Sequence, residues 1–197
     1  MVIDGGAFRA VMGHFASGVT VVTSLDGDRP AGITVSALAS VSLDPPLVLV
    51  ALDRRRSLVP VISAHGAYAV NILAGDQQAL SDCFARSPIA AGGAAGGAAA
   101  GHPTDAAADR DAFCAAAWHP GVRGVPVIDG TIASLECVVV ETIAVGDHVL
   151  FIGRVEALDH DRRDDASALV YFRRHYVRLE RGPDFAAATP SSPTTEG

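Results

Sequence analysis

The sequence is short of most features that mark a protein as secreted, membrane-spanning or nucleic-acid-binding. Cysteine occurs three times in 197 residues, at Cys83, Cys114 and Cys137. An odd and scattered set forms neither a disulfide framework nor a CxxC metal site. The three are therefore expected to be reduced thiols, packed as small apolar groups in a cytoplasmic protein. No apolar run approaches the roughly 18 residues that a membrane helix needs, and the opening MVIDGGAFRAVMGHF lacks the apolar core of a secretory signal. Positive charge is also in deficit, with 15 Lys and Arg against 22 Asp and Glu for a net charge of -7. With no basic stripe carrying interleaved aromatics, nucleic acid is not an expected partner. The histidines show no HxxxH spacing, so no metal site is expected. Nucleophilic catalysis finds no G-x-S-x-G elbow. GGAAGG, at 92–97, lacks the G-x-G-x-x-G spacing of a dinucleotide fingerprint and has no strand leading into it. The paired carboxylates Asp164 and Asp165, in DHDRRDD, read as solvated surface. No internal repeat occurs.

What is present is a large supply of core: 49% of the residues are apolar, enough for one sizeable domain. Residues 7–15 carry apolar groups at helical spacing. In GVTVVTSLDGDRPAGITVSA, valine and threonine alternate on both sides of Asp26-Gly27-Asp28, a hairpin signal. A strand over Leu47–Leu52 follows the pair Pro45-Pro46, placed where a missing N–H costs least. Ser57 is positioned to cap a helix over LVPVISAHG that Gly66 closes. A strand at 67–73 and a helix over QQALSDCFAR come next. Residues 87–117 are Ala/Gly-rich, compatible with a loop or a helical excursion. Two long strands, 131–143 and 148–158, are joined by a tight turn, and a last strand lies near Tyr176–Leu179. The remaining tail has little to bury and is expected to be loose. Six or seven locally connected, mostly antiparallel strands with few helices indicate a closed or partly closed β-barrel.

Residues 31–57 concentrate the chemistry. Thr34, Ser36, Ser40 and Ser42 are spaced by multiples of two, so a continuous extended chain would present them on one face. Such a face is often only the solvent side. Beside the cationic burst Asp53-Arg54-Arg55-Arg56-Ser57, however, it also suits an anion, which needs donors and positive charge together. Asn71, inside the apolar strand AVNIL, is expected to brace a loop rather than touch a ligand. His148 follows Gly146-Asp147 at the start of a strand, on the barrel rim, where it can donate to a carboxamide or a ring.

The segments FRAVMGHFASGVTVVTS, AGITVSALASVSLDPPLVLVALD, YAVNIL, ALSDCFA, ASLECVVV and GDHVLFIGRVEAL, in that order, resemble the short-chain flavin reductases. These are the NAD(P)H:flavin oxidoreductase components of two-component flavin-dependent monooxygenases. The resemblance covers roughly residues 7–180 apart from the Ala/Gly-rich insert. It implies a mainly β fold, an FMN-binding split β-barrel with Greek-key-like connections and peripheral helices. It implies a domain over 1–181 with an insert at about 87–117, a flexible tail at 182–197, and a homodimer with flavin near the subunit interface. It further implies that Thr34, Val35, Ser36, Ala37, Ser40, Val41 and Ser42 contact the flavin ring and ribityl chain. Asp53, Arg55 and Ser57, with Phe84 and Ala85, would lie near the phosphate. Asp147, His148 and Tyr176 would meet the nicotinamide. FMN or FAD, with NADH or NADPH as co-substrate, would carry the hydride transfer without a catalytic side chain, and reduced flavin would pass to a partner monooxygenase. Two features depart from the family pattern. Ala16 stands where proline is common. Asp53 stands where asparagine is common, and a carboxylate there needs the neighbouring arginines to compensate it. A tightly bound oxidase of the pyridoxamine-phosphate type and a non-catalytic flavin or haem carrier share the barrel and are the competing readings.

Overall fold

The computed structural model describes residues 3–86, 113–160 and 167–179. The tail, most of the insert and the Asp164–Asp165 pair lie outside the described residues. Among those described, no helix is long and apolar enough to cross a membrane. Helix α1 (Gly5–Met12) starts earlier than its apolar spacing suggests, because the Asp4 carboxylate accepts the Ala7 N–H at 2.8 Å. A short strand β1 (Ser17–Gly18) leads into the hairpin of β2 (Thr20–Asp26) and β3 (Arg29–Val35). Gly27, at φ +62°, turns that hairpin. Then follow β4 (Leu38–Leu43), β5 (Pro46–Asp53), α2 (Leu58–His65), β6 (Ala67–Ile72) and α3 (Gln78–Ala85). The second half adds β7 (Trp118–Pro120), β8 (Pro126–Ile128), β9 (Ala133–Val145), β10 (His148–His160), β11 (Leu169–Phe172) and β12 (His175–Arg178).

Seven strands form one antiparallel sheet in the order β3-β2-β6-β9-β10-β5-β4, with a three-stranded sheet β1-β11-β12 and the pair β7-β8 beside it. The expected barrel is therefore present, and the two small sheets are additions to it. β2 is buried on both faces. Val22 packs into the barrel with Ile33, Val50, Leu52, Tyr68 and Phe151, whereas Val21 packs outward with Leu73, Phe84, Phe113 and Leu169. Leu58 and Ile62 of α2 join the inner cluster. Ser57 occupies the N-cap position of α2 without a side-chain capping bond, and Gly66, at φ +76°, ends the helix as expected. Asn71 is a brace, as its sequence setting implies. Fully buried, its amide donates to the Val21 carbonyl at 3.0 Å and the Thr23 hydroxyl at 3.1 Å, and its oxygen accepts the Ile128 N–H at 2.8 Å.

Two expectations are corrected. First, Thr34, Ser36, Ser40 and Ser42 do not share the face of one extended strand. β3 ends at Val35, and a bulge falls between Ser40 and Ser42, which oppose the consecutive residues Val48 and Leu47. Second, the cysteines are not all reduced. Cys83 and Cys114 form a disulfide, and Cys137 is the one free thiol among the described residues, with burial pushing its pKa up to about 12. Sequence separation hid the pairing. The end of the Ala/Gly-rich segment returns to α3 because Phe113, 2% exposed, packs edge-on against Phe84 at 5.0 Å. Residues 113–117 therefore anchor to the core instead of continuing the low-complexity run.

Candidate functional site

An open cleft of about 180 Å³ lies where the end of β3, the end of α3, the turn between β5 and α2, and the β11–β12 hairpin meet. Val19, Thr34, Ser36, Arg56, Ala85, Tyr171 and Tyr176 line it. Four of the expected site residues, Thr34, Ser36, Ala85 and Tyr176, thus come together from three separate stretches of chain. Gly32 allows α3 to approach this closely. A Cβ at that position would stand 2.9 Å from the Phe84 ring and 3.1 Å from Cγ2 of Thr23. Phe84 itself is buried in the outer core cluster and does not line the cleft.

The cleft is tied together through Ser81, a residue with no exposed surface. Its carbonyl accepts the Thr34 hydroxyl at 2.6 Å, and its own hydroxyl is hydrogen-bonded to the Tyr176 phenol at 2.8 Å. One residue of α3 therefore sets β3 and β12 relative to each other. Tyr171 and Tyr176 face each other across the β11–β12 ladder, with ring centroids 5.3 Å apart, and form an aromatic wall. Burial pushes the Tyr176 phenol above its ordinary pKa, so it remains a neutral hydroxyl.

A charged group forms around the ends of β5 and β10. Asp53 and His148 are direct partners in the β5–β10 ladder, and the Arg54 N–H donates to the Asp147 carbonyl at 3.0 Å. Arg55 encloses Asp53. Its backbone N–H reaches Oδ1 at 2.9 Å, and its guanidinium reaches Oδ1 at 3.0 Å and Oδ2 at 2.6 Å. These bonds hold the Asp53 carboxyl far below the usual carboxylate range. The compensation that a carboxylate at 53 requires is thus supplied within its own turn. Arg55 is directed to Asp53, while Arg56 reaches the cleft. Asp147 and His148 Nδ1 are 2.7 Å apart, which lowers the Asp147 pKa and leaves Nε2 of His148 as its other polar atom.

The other expected contact residues are not among those lining the cleft. The Val35 side chain is buried in the barrel, and its carbonyl accepts the Thr20 hydroxyl at 2.7 Å. The Ala37 carbonyl accepts the Ala51 N–H at 3.1 Å. Ser40, Val41 and Ser42 sit on the edge strand β4 and are not among the residues lining the cleft. Ser57 lines a separate hollow with Leu25, Pro60 and His65. Of the cationic burst at 53–57, it is Arg56 that lines the cleft. Ser81, which ties the cleft together, is hidden within its helix. Its only signal is a hydroxyl on the buried face of α3, three residues before Phe84. Tyr171 is legible in YFRRHY as the cross-strand partner of Tyr176 over a two-residue turn.

Comparison with known proteins bears on these features. The chain matches the flavin reductase like domain over residues 12–180. It is 40% identical over 175 residues to an NADH-dependent flavin reductase of Rhodococcus sp, covering 87% of this chain and 85% of that one. It is 30% identical over 178 residues to HsaB of Mycobacterium tuberculosis, the reductase subunit of a flavin-dependent monooxygenase, covering 90% of this chain and 84% of the relative. Among solved structures it resembles the Streptomyces globisporus NADH:FAD oxidoreductase SgcE6 in complex with NAD and FAD fragments. That likeness has a TM-score of 0.72 and 28% identity over 93% of this chain and 98% of the other. Fold, sequence and the hydroxyl, cationic and aromatic make-up of the cleft agree, and the chain belongs to the flavin reductase like domain family.

Proposed function

We propose that this protein is an NADH-dependent flavin reductase that passes reduced FMN or FAD to a partner monooxygenase, in the cytoplasm, where NADH is available. The observation that carries the reading is the cleft, which gathers one cation, two hydroxyls and two tyrosine rings from distant parts of the chain. A flavin nucleotide has a phosphate for the cation and the Ser36 hydroxyl, and an aromatic ring for the tyrosines. When bound, flavin supplies the hydride acceptor. The protein's task is placement, which can account for roughly 7–11 kcal/mol of barrier in well-oriented cases. Arg56 and Ser36 hold the phosphate end. The aromatic wall bounds the ring, and Ser81 keeps Tyr176 in position. His148, its Nδ1 engaged by Asp147, offers Nε2 to the nicotinamide carboxamide.

A homodimer would complete the open side of the cleft. Beyond Val138, which pairs with Ala67, β9 has no described strand on its outer edge, and Val140, Ile143 and Val145 are exposed there. Long apolar strand edges of this kind recruit another chain. Sedimentation is expected to give twice the 20.2 kDa chain mass. Ile143→Lys is expected to give a folded monomer with weakened flavin binding, whereas a wild-type monomer would remove the dimer from this reading.

The activity is tested by mixing the protein with NADH and free FMN or FAD and following nicotinamide absorbance. No loss of absorbance with either flavin would refute it. Within an active enzyme, Arg56→Ala is expected to raise the flavin KM about tenfold, the effect of removing one charge-assisted hydrogen bond. Arg55→Ala should raise it less, because Arg55 acts through Asp53. The reverse order would assign the phosphate to Arg55. His148→Ala is expected to raise the NADH KM more than the flavin KM, and an unchanged NADH KM removes His148 from the site.

A further inference from the structure

We infer that Cys83 and Cys114 form a peroxide-responsive thiol pair that sets how firmly the cleft holds its flavin. The inference rests on the flavin-reductase reading and extends it to regulation. Cys83 lies on α3 between Ser81, which fixes Thr34 and Tyr176, and Ala85, which lines the cleft. Its disulfide partner Cys114 is 31 residues away in sequence, in a segment that otherwise meets α3 through the contact of Phe113 with Phe84. The bond therefore ties α3 to residues 113–117, on the helix that orients the cleft. Both cysteines are half-buried residues. Cys137 is buried among core side chains.

The enzyme's own chemistry supplies the oxidant. Reduced flavin that no monooxygenase consumes transfers two electrons and two protons to dioxygen, giving oxidised flavin and hydrogen peroxide. One cysteine thiolate attacks the peroxide O–O bond, forming a sulfenic acid and releasing hydroxide, which takes up a proton to become water. The second thiol then displaces the sulfenic hydroxyl as a second water, and the S–S bond forms. A cellular dithiol reverses the change by thiol–disulfide exchange, leaving two protein thiols and its own disulfide. In the oxidised form α3 is stapled to residues 113–117, which steadies Ser81 and its bonds to Thr34 and Tyr176, so flavin is held more firmly and released more slowly. In the reduced form α3 keeps the Phe84–Phe113 packing but loses its covalent tie to the segment, which the Asp129 N–H still holds at the Ala117 carbonyl. Peroxide accumulation thus restrains the reaction that causes it.

The test uses the full chain in two states, treated with dithiothreitol or with hydrogen peroxide and then freed of reagent. Thiol titration under denaturing conditions should count three thiols in the first state and one in the second. The FMN Kd, measured by fluorescence quenching without turnover, should be roughly fivefold lower in the oxidised state. Reduction should lower Tm by several degrees, since it releases a long closed loop. The double variant Cys83→Ser, Cys114→Ser should keep the Kd of the reduced wild type and ignore peroxide. Aerobic turnover of NADH and FMN without a monooxygenase should close the disulfide, and added catalase should prevent it. Three thiols after peroxide treatment, or equal Kd values in the two states, overturn the switch alone. Absence of FMN binding in both states overturns the flavin reading beneath it.

Discussion

The architecture depends on the link between β3 and β4. These strands are consecutive in the chain, with only Ser36 and Ala37 between them, yet they form the two opposite edges of a seven-stranded sheet. Laid flat, such a sheet would hold its edge strands about 29 Å apart. The link spans three Cα steps and reaches at most about 11 Å. The sheet must therefore roll until its edges nearly meet, and the Ala51 N–H bond to the Ala37 carbonyl lies at that approach. The barrel stays split there because the chain turns away from β3 before it begins β4. The cleft opens beside this point, lined by Thr34 of β3 and Ser36 of the link.

Rolling the sheet explains why the site collects residues so far apart in sequence. β2 stands beside β3 and is covered on both faces, inward by the barrel core and outward by the layer containing Phe84, Phe113 and Leu169. That outer layer positions α3, and α3 positions Ser81. The charged turns before α2 and β10 lie together because Asp53 and His148 are ladder partners. Asp53 lies three residues before Arg56 of the cleft, and Arg55 pairs with its carboxylate within the same turn.

Much of this was legible in the residues. The β2–β3 hairpin follows from valine–threonine alternation around Asp26-Gly27-Asp28, and the β9–β10 turn from Gly146-Asp147. Asn71 had to be a brace, because a buried amide in an apolar strand must find partners. Four residues of the cleft were also recognisable, through the resemblance of the TVS segment, ALSDCFA and the final strands to a known family. What was not legible depends on contacts distant in sequence. The disulfide follows from Phe113 returning to Phe84, which no spacing rule encodes. The division of Thr34 from Ser40 and Ser42 follows from a turn and a bulge that an alternating pattern conceals. The different settings of Arg55 and Arg56 depend on side-chain directions within one short turn.

The most direct test is a crystal structure of the protein with FMN. The account predicts the isoalloxazine against the wall of Tyr171 and Tyr176, the phosphate at Arg56 and Ser36, and a second copy of the chain closing the open side. Flavin bound elsewhere on the barrel, or a cleft filled by packed side chains, would contradict it.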